Sequence, residues 1–302
     1  MALDFPKPLD QSILNEAFDR GMPHVVMSDA VFMQYRDFIY TKSGIYFADN
    51  KKYLLEARIA QRFQSHRLNT FEDYLALIRS PAGTSELPIL YESITINETY
   101  FFRSPQQLEV MEKVILPDLI RAKMAKGDTS PTITIWSAAS SSGEEAHTIA
   151  IILTEKIKPV FPTVKFRIVG TDISNSVLNT ARSGVYKNYA IRQVAPDILA
   201  KYFTQHDNLY HLKQSIKSMV TFHNLNLFDS SAMASMMNVD LIFCCNVLIY
   251  FDTESKRKVV NSLYRSLNKG GMLFVGYSES LHGVSQDFKL VHLQKALVYK
   301  KE

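Results

Sequence analysis

With 302 residues, 46% hydrophobic and 11% aromatic, the chain can bury a substantial core and has room for one large domain and a smaller one. A formal net charge of +4 is too mild for a dedicated nucleic-acid binder and points at most to a local basic patch that meets an acidic partner. The only cysteines, Cys244 and Cys245, are adjacent in an apolar run, which suits small buried hydrophobes in a reducing compartment better than a disulfide or metal pair. No metal is expected.

In chain order, residues 1 to about 27 mix Pro, Asp and Lys with little periodicity and read as a loosely held, flexible arm. Residues 28–92 carry a helical pattern. Within it Leu55, Ile59 and Phe63 recur on one face of a helix, and Arg58, Arg62 and His66 recur at the same interval on another. That second face reads either as a partner-binding basic stripe or as a solvated surface.

Residues 93–130 form a linker and connecting helix. Asn97-Glu98-Thr99-Tyr100-Phe101-Phe102-Arg103 gathers donors beside aromatics, and Arg103 suits a two-pronged contact with a carboxylate or an ion pair with a neighbouring acid. A helix start follows, with Ser104 placed to cap, Pro105 at the first helical position and Gln107 completing a capping box. Pro117 should weaken that helix.

From 131 to 302 short β-branched runs alternate with amphipathic segments: strands over 133–136, 165–170, 219–223, 239–245 and 272–276, helices over 144–156, 174–182 and 253–268, and a closing segment over 289–300. Such alternation implies an α/β fold with a parallel sheet, and ligands then sit beyond the carboxyl ends of the strands. The irregular stretch of about 185–217 is too long for an ordinary connection and reads as a small inserted subdomain.

The strand ends carry the candidate chemistry. Small residues after the first strand, Ser137 to Gly143 before Glu144-Glu145, let a ligand approach the backbone, or else form a capping box. Asp172 follows the second strand, where it can accept both hydroxyls of an adenosine ribose or serve as a polar turn residue beside a Ser174 cap. Asn246 and Tyr250 lie at the end of the strand that begins at Val239.

These segments together resemble the CheR family of chemotaxis protein methyltransferases, through NETYFFR (97–103), IWSAASSSGEE (135–145), VGTDIS (169–174), NLF (226–228), NVLIYF (246–251) and GYSESL (276–281) in order and at matching spacing. The resemblance implies a Rossmann-like S-adenosylmethionine (SAM)-dependent methyltransferase domain with a small all-α N-terminal domain. It implies that SAM, leaving as S-adenosylhomocysteine (SAH), is held by Asn97, Thr99, Arg103, Glu144, Asp172, Asn226, Leu227, Asn246 and Val247. Arg103 and Tyr250 would flank the reacting methyl as catalytic residues, and the acceptors would be glutamate carboxylates on the cytoplasmic methylation helices of chemoreceptors. The Arg58, Arg62 and His66 face would meet those helices.

Three positions depart from the family pattern. Ser137, Ala139 and Ser140 stand where Cys and Gly are usual, and Tyr277 where His is common. Tyr202–Leu212 has no glycine where family members that bind a receptor's C-terminal peptide carry a glycine-rich loop, which counts against such tethering. Neither a basic and apolar leader nor an apolar run of roughly 20 residues is present, so a cytoplasmic, monomeric protein without membrane insertion is expected. A small-molecule methyltransferase and a non-catalytic SAM- or SAH-binding signalling scaffold remain open at this point.

Overall fold

The computed structural model describes residues 26–95, 97–293 and 296–302. The arm expected over 1–27 lies outside the described residues except for its end, where Met27 is buried and its N–H donates to Glu56 Oε1 at 2.9 Å. The chain divides into two compact units, one comprising residues up to Ile39 with Phe47–Ile94, the other Tyr40–Tyr46 with Thr95–Glu302.

The first unit is helical. It contains α1 (Asp29–Ser43) up to Ile39, α2 (Lys52–Ser65), α3 (Phe71–Arg79) and α4 (Leu87–Ile94). Leu55, Ile59 and Phe63 are buried as their spacing predicts, and Thr70 caps α3 by accepting the Asp73 N–H.

The second unit opens with α5 (Pro105–Val110), which passes through a π-helical turn (Met111–Ile115) into α6 (Leu116–Met124). Pro117 therefore does not weaken the helix as expected. The wide turn just before it, in which the Leu116 N–H reaches back to the Met111 carbonyl, accommodates a ring that would clash in regular α-geometry. Ser104 sits at the N-cap in the left-handed region (φ 60°) and gives no side-chain cap, and Gln107 donates to the Val275 carbonyl at 2.7 Å, so the expected capping box does not form. Val110, Met111, Ile115, Leu116 and Ile120 join the core of this unit, which makes the connecting helix part of the sheet's packing and not a free linker.

The sheet is built from β1 (Thr132–Ala138), α7 (Glu144–Ile152), β2 (Lys165–Asp172), α8 (Asn175–Ser183), β6 (Val220–Asn224), a short α12 (Ser230–Met233), β7 (Val239–Cys244), α13 (Thr253–Ser266), β8 (Leu267–Val275), β9 (Phe288–Leu293) and β10 (Ala296–Lys301). Its order is β6-β2-β1-β7-β8-β10-β9. The first five strands are parallel and β10 runs antiparallel to both neighbours. The closing segment is thus a pair of strands. Between α8 and β6 the insertion forms β3 (Val185–Tyr186), α9 (Asn188–Ile191), α10 (Pro196–Tyr202), β4 (Phe203–His206), β5 (Leu209–Leu212) and α11 (Gln214–Lys217), with the strands in their own antiparallel sheet β3-β5-β4.

Chain order reverses at β1, which pairs with β2 on one side and β7 on the other. This is the switch point at which an open α/β sheet leaves a crevice beyond its carboxyl ends. Hydrogen bonds at both ends of the strands stiffen the sheet. Trp136 Nε1 donates to Thr171 Oγ1 at 2.9 Å, and at the opposite end Asp240 accepts from Lys123 Nζ, the Thr134 N–H and Asn268 Nδ2.

Candidate cofactor and active site

The turn after β1 is the first wall of the site. Ala139 (φ 62°), Ser141 (φ 49°) and Gly143 (φ 89°) all adopt the left-handed region. The chain thus turns tightly, with the non-glycine residues Ala139 and Ser141 bearing strain of about 1 kcal/mol or more each. Glycine is needed at 143, where a Cβ would lie 2.7 Å from the Ala181 Cβ. No capping box forms: Gly143 is the N-cap of α7, and Ser142 Oγ instead donates to Glu144 Oε2 at 2.7 Å. Ser140 lines the crevice, and its Oγ is buried without a hydrogen-bond partner among the described residues.

Asp172 ends β2 and is 6% exposed. Its Oδ2 accepts the Ser141 N–H at 2.9 Å and its Oδ1 the Ser174 N–H at 3.0 Å, tying the turns after β1 and β2 together. Ser174 does cap α8, accepting from Val177 N. Burial raises the Asp172 carboxyl above its ordinary range against the pull of these N–H groups.

A cavity of about 1160 Å³, counted out to its open mouth, lies over these turns, and every residue lining it belongs to the second unit. Asn97, Thr99, Arg103, Asp172, Asn226, Leu227, Asn246, Val247 and Tyr250 all line it, although they come from four separate stretches of chain. The side chain of Asn226 is already engaged, donating to the Lys42 carbonyl and accepting the Phe228 N–H, so it shapes the wall more than it offers free polar atoms.

Glu144 is the exception. It does not line the cavity, and Glu145 does. Neighbours on a helix point about 100° apart, so only one of the pair can face the ligand, and here Glu144 is turned into the interior at 3% exposure. Burial pushes both carboxyls up to about 7. Glu145 is held by Ser137 Oγ at 2.7 Å and lies where the charge of Arg103 pulls its pKa down.

Arg103 donates through Nη1 to the Glu98 carbonyl at 2.8 Å, and its guanidinium lies 5.6 Å from the Tyr100 ring centroid. One of its five N–H groups is committed there. Burial raises the Tyr250 hydroxyl above its usual range, which keeps it a hydrogen-bond donor, while Arg103 opposes the shift. Tyr277 lies away from the cavity lining, 59% exposed, and donates to Gln106.

The expected partner face behaves differently. Arg62 donates through Nε and Nη2 to Glu86 Oε1, His66 Nε2 lies 2.9 Å from Glu86 Oε2, and Arg58 Nη1 donates to the Ser93 carbonyl. Tyr74 adds its hydroxyl to Glu86 at 2.7 Å, and Glu86 is 4% exposed. Arg62 and His66 are therefore engaged with the helical unit's own buried acid, and Arg58 with a backbone carbonyl.

The crevice fits SAM on its own terms. An unpartnered buried hydroxyl, a tight turn that brings backbone near, a ribose-height carboxylate and a second carboxylate with no ion-pair partner suit an adenosine carrying a cationic amino acid. A sheet in this order with a nucleoside crevice at β1 defines a SAM-dependent methyltransferase of the α/β type. Comparison with known families agrees. Residues 97–297 match the CheR methyltransferase SAM-binding domain and residues 30–95 the CheR methyltransferase all-alpha domain.

The chain belongs to the CheR methyltransferase family. It is 35% identical over 281 residues to "Chemotaxis protein methyltransferase 2" of Vibrio cholerae, covering 93% of this chain and 96% of that one. It is 36% identical to the "Chemotaxis protein methyltransferase" of Vibrio parahaemolyticus, over 92% of this chain and 99% of that protein. A third relative, from Borreliella burgdorferi, is 36% identical over 81% of this chain and 86% of its own length. Among the described residues no helix is long and apolar enough to cross a membrane, and no cluster of His, Cys, Asp and Glu is arranged to hold a metal.

Proposed function

We propose that the chain is a cytoplasmic protein-glutamate O-methyltransferase acting on chemoreceptor methylation helices. The observation that carries the reading is the joint presence of Arg103 and Tyr250 in the wall of the crevice that holds Glu145 and Asp172. The kinship with proteins named for chemotaxis supports the same reading.

SAM supplies an electrophilic methyl on a sulfonium. Asp172 holds the ribose hydroxyls, and Glu145 receives the cationic amino-acid end in place of Glu144. An acceptor glutamate with an ordinary pKa near 4.3 is already ionised at neutral pH, so the site needs no general base. Its task is to remove water from that carboxylate and orient it along the line of the leaving bond. Arg103 has donors to spare for one or both oxygens, and the protonated Tyr250 hydroxyl gives a second, neutral donor.

Incubating the protein with receptor-containing membranes and methyl-tritiated SAM tests this. Label in the receptor band that is released as methanol by mild base is the expected outcome. Label only in a small-molecule fraction, or none in a protein that binds SAH, would overturn it.

A further inference from the structure

Glu279 lies outside the cavity lining, yet it is bonded to the loop that forms one wall of the cavity. After β8 the chain turns at Gly276, and the Glu279 N–H closes that turn on the Gly276 carbonyl at 2.9 Å. The side chain then folds back. Oε2 accepts the Gly276 N–H at 2.6 Å and the Asn246 N–H at 2.7 Å, and Oε1 accepts the Ile249 N–H at 3.2 Å. One carboxylate thus joins the end of β8 to both ends of the loop after β7.

That loop needs an outside tie. Asn246 is held at φ 61°, in the left-handed region, and its N–H and that of Ile249 both turn to the Glu279 carboxylate instead of continuing a strand. Converging amides repel one another unless an acceptor fills the hollow. Gly276 makes room for it: a Cβ there would stand 2.7 Å from Glu279 Oε2 and 2.7 Å from Asn246 Oδ1. Burial pushes the Glu279 carboxyl above its ordinary range, while the N–H groups around it favour the ionised form.

We propose that Glu279 is a positioning residue for cofactor binding: through the amides of Gly276, Asn246 and Ile249 it fixes the loop that turns Asn246, Val247 and Tyr250 toward the cavity. The inference rests on the cavity being the cofactor site and not on the identity of the methyl acceptor.

SAH binding by calorimetry tests it without any methyl transfer. Glu279→Gln keeps the shape and replaces one acceptor oxygen with a donor, so SAH affinity should fall about tenfold, the size of a lost charged hydrogen bond. An Asn246→Ala background keeps the amide that Glu279 holds but removes the side chain that this amide aims, so there the same substitution should cost a smaller factor, the part that passes through Val247 and Tyr250. Amide hydrogen exchange should quicken at Gly276, Asn246 and Ile249 while the β7 and β8 amides keep their protection.

Wild-type SAH affinity in Glu279→Gln would overturn the proposal. So would equal losses in both backgrounds, or faster exchange throughout the two strands, which is the mark of general loosening. Should Glu279→Gln fail to fold, Glu279→Asp, which keeps the charge but shortens its reach to the Asn246 and Ile249 amides, decides by the same criteria. Coupling in SAH binding alongside unlabelled receptor would leave this inference standing while removing the proposed substrate.

Discussion

Glu86 of the helical unit and the acids around the crevice of the sheet unit are buried in opposite ways. In the helical unit Glu86 has Arg62, His66 and the Tyr74 hydroxyl around it, and these partners hold its carboxyl below the ordinary range although burial works against them. In the sheet unit Asp172, Glu144 and Glu145 make no ion pair among the described residues, and burial holds all three above it. A buried acid surrounded by its own cations is structural, since its charge is already neutralised. One left with hydroxyl and amide neighbours beside an open crevice waits for a cation from outside, which is what a sulfonium and an ammonium provide.

The sharpest way to break this contrast is to exchange charges between stability and binding. Glu86→Gln should cost about 3 kcal/mol of stability, the low end for stranding a buried pair given that Arg62 and His66 are partly exposed, and should leave SAH affinity unchanged. Asp172→Asn should do the reverse. It is expected to keep the melting temperature within a few degrees and weaken SAH binding roughly 100-fold in calorimetry, the loss of two charged hydrogen bonds to a ribose.

Arg103→Ala sharpens the picture at the acceptor end. Turnover on receptor should fall roughly 30-fold, equivalent to one charge-assisted contact, with a much smaller change in SAH affinity. Equal loss in both measurements would make it a cofactor ligand only.

The smallest effect is set by pH. With its carboxyl pushed up to about 7, Glu145 is mostly ionised at pH 8 and mostly protonated at pH 6, while the ligand ammonium stays charged across that range. SAH affinity should therefore decline by about tenfold on acidification through pH 7. Glu145→Gln should bind more weakly at pH 8 and lose most of that slope.

Much of the sheet unit was legible because strand ends are fixed points. A polar residue that closes a β-branched run, as Asp172 and Asn246 do, must emerge at one edge of the sheet whatever the helices do. Helical faces are less informative. The spacing of Arg58, Arg62 and His66 puts them on one face but does not say which way they look; Glu86, 20 residues beyond His66, decides that for Arg62 and His66, and the Ser93 carbonyl for Arg58. The choice between Glu144 and Glu145 likewise turns on the exact entry of α7 from a strained turn, which local residue types do not encode.

Glu279 was visible only as one letter of GYSESL, because its partners are backbone amides and amides leave no trace in composition. The insertion's own three-stranded sheet and the π-helical turn before Pro117 were hidden for a similar reason: both are settled by packing partners far along the chain.

The lone tryptophan of the chain, Trp136, sits fully buried on β1 with its indole tied to the residue before Asp172. The helical unit therefore contains no indole at all, and tryptophan emission, excited where tyrosine does not absorb, reports on the sheet unit. A melt followed by fluorescence records that half alone, whereas circular dichroism sums both, so the separate fates of the two halves can be read from one unlabelled sample.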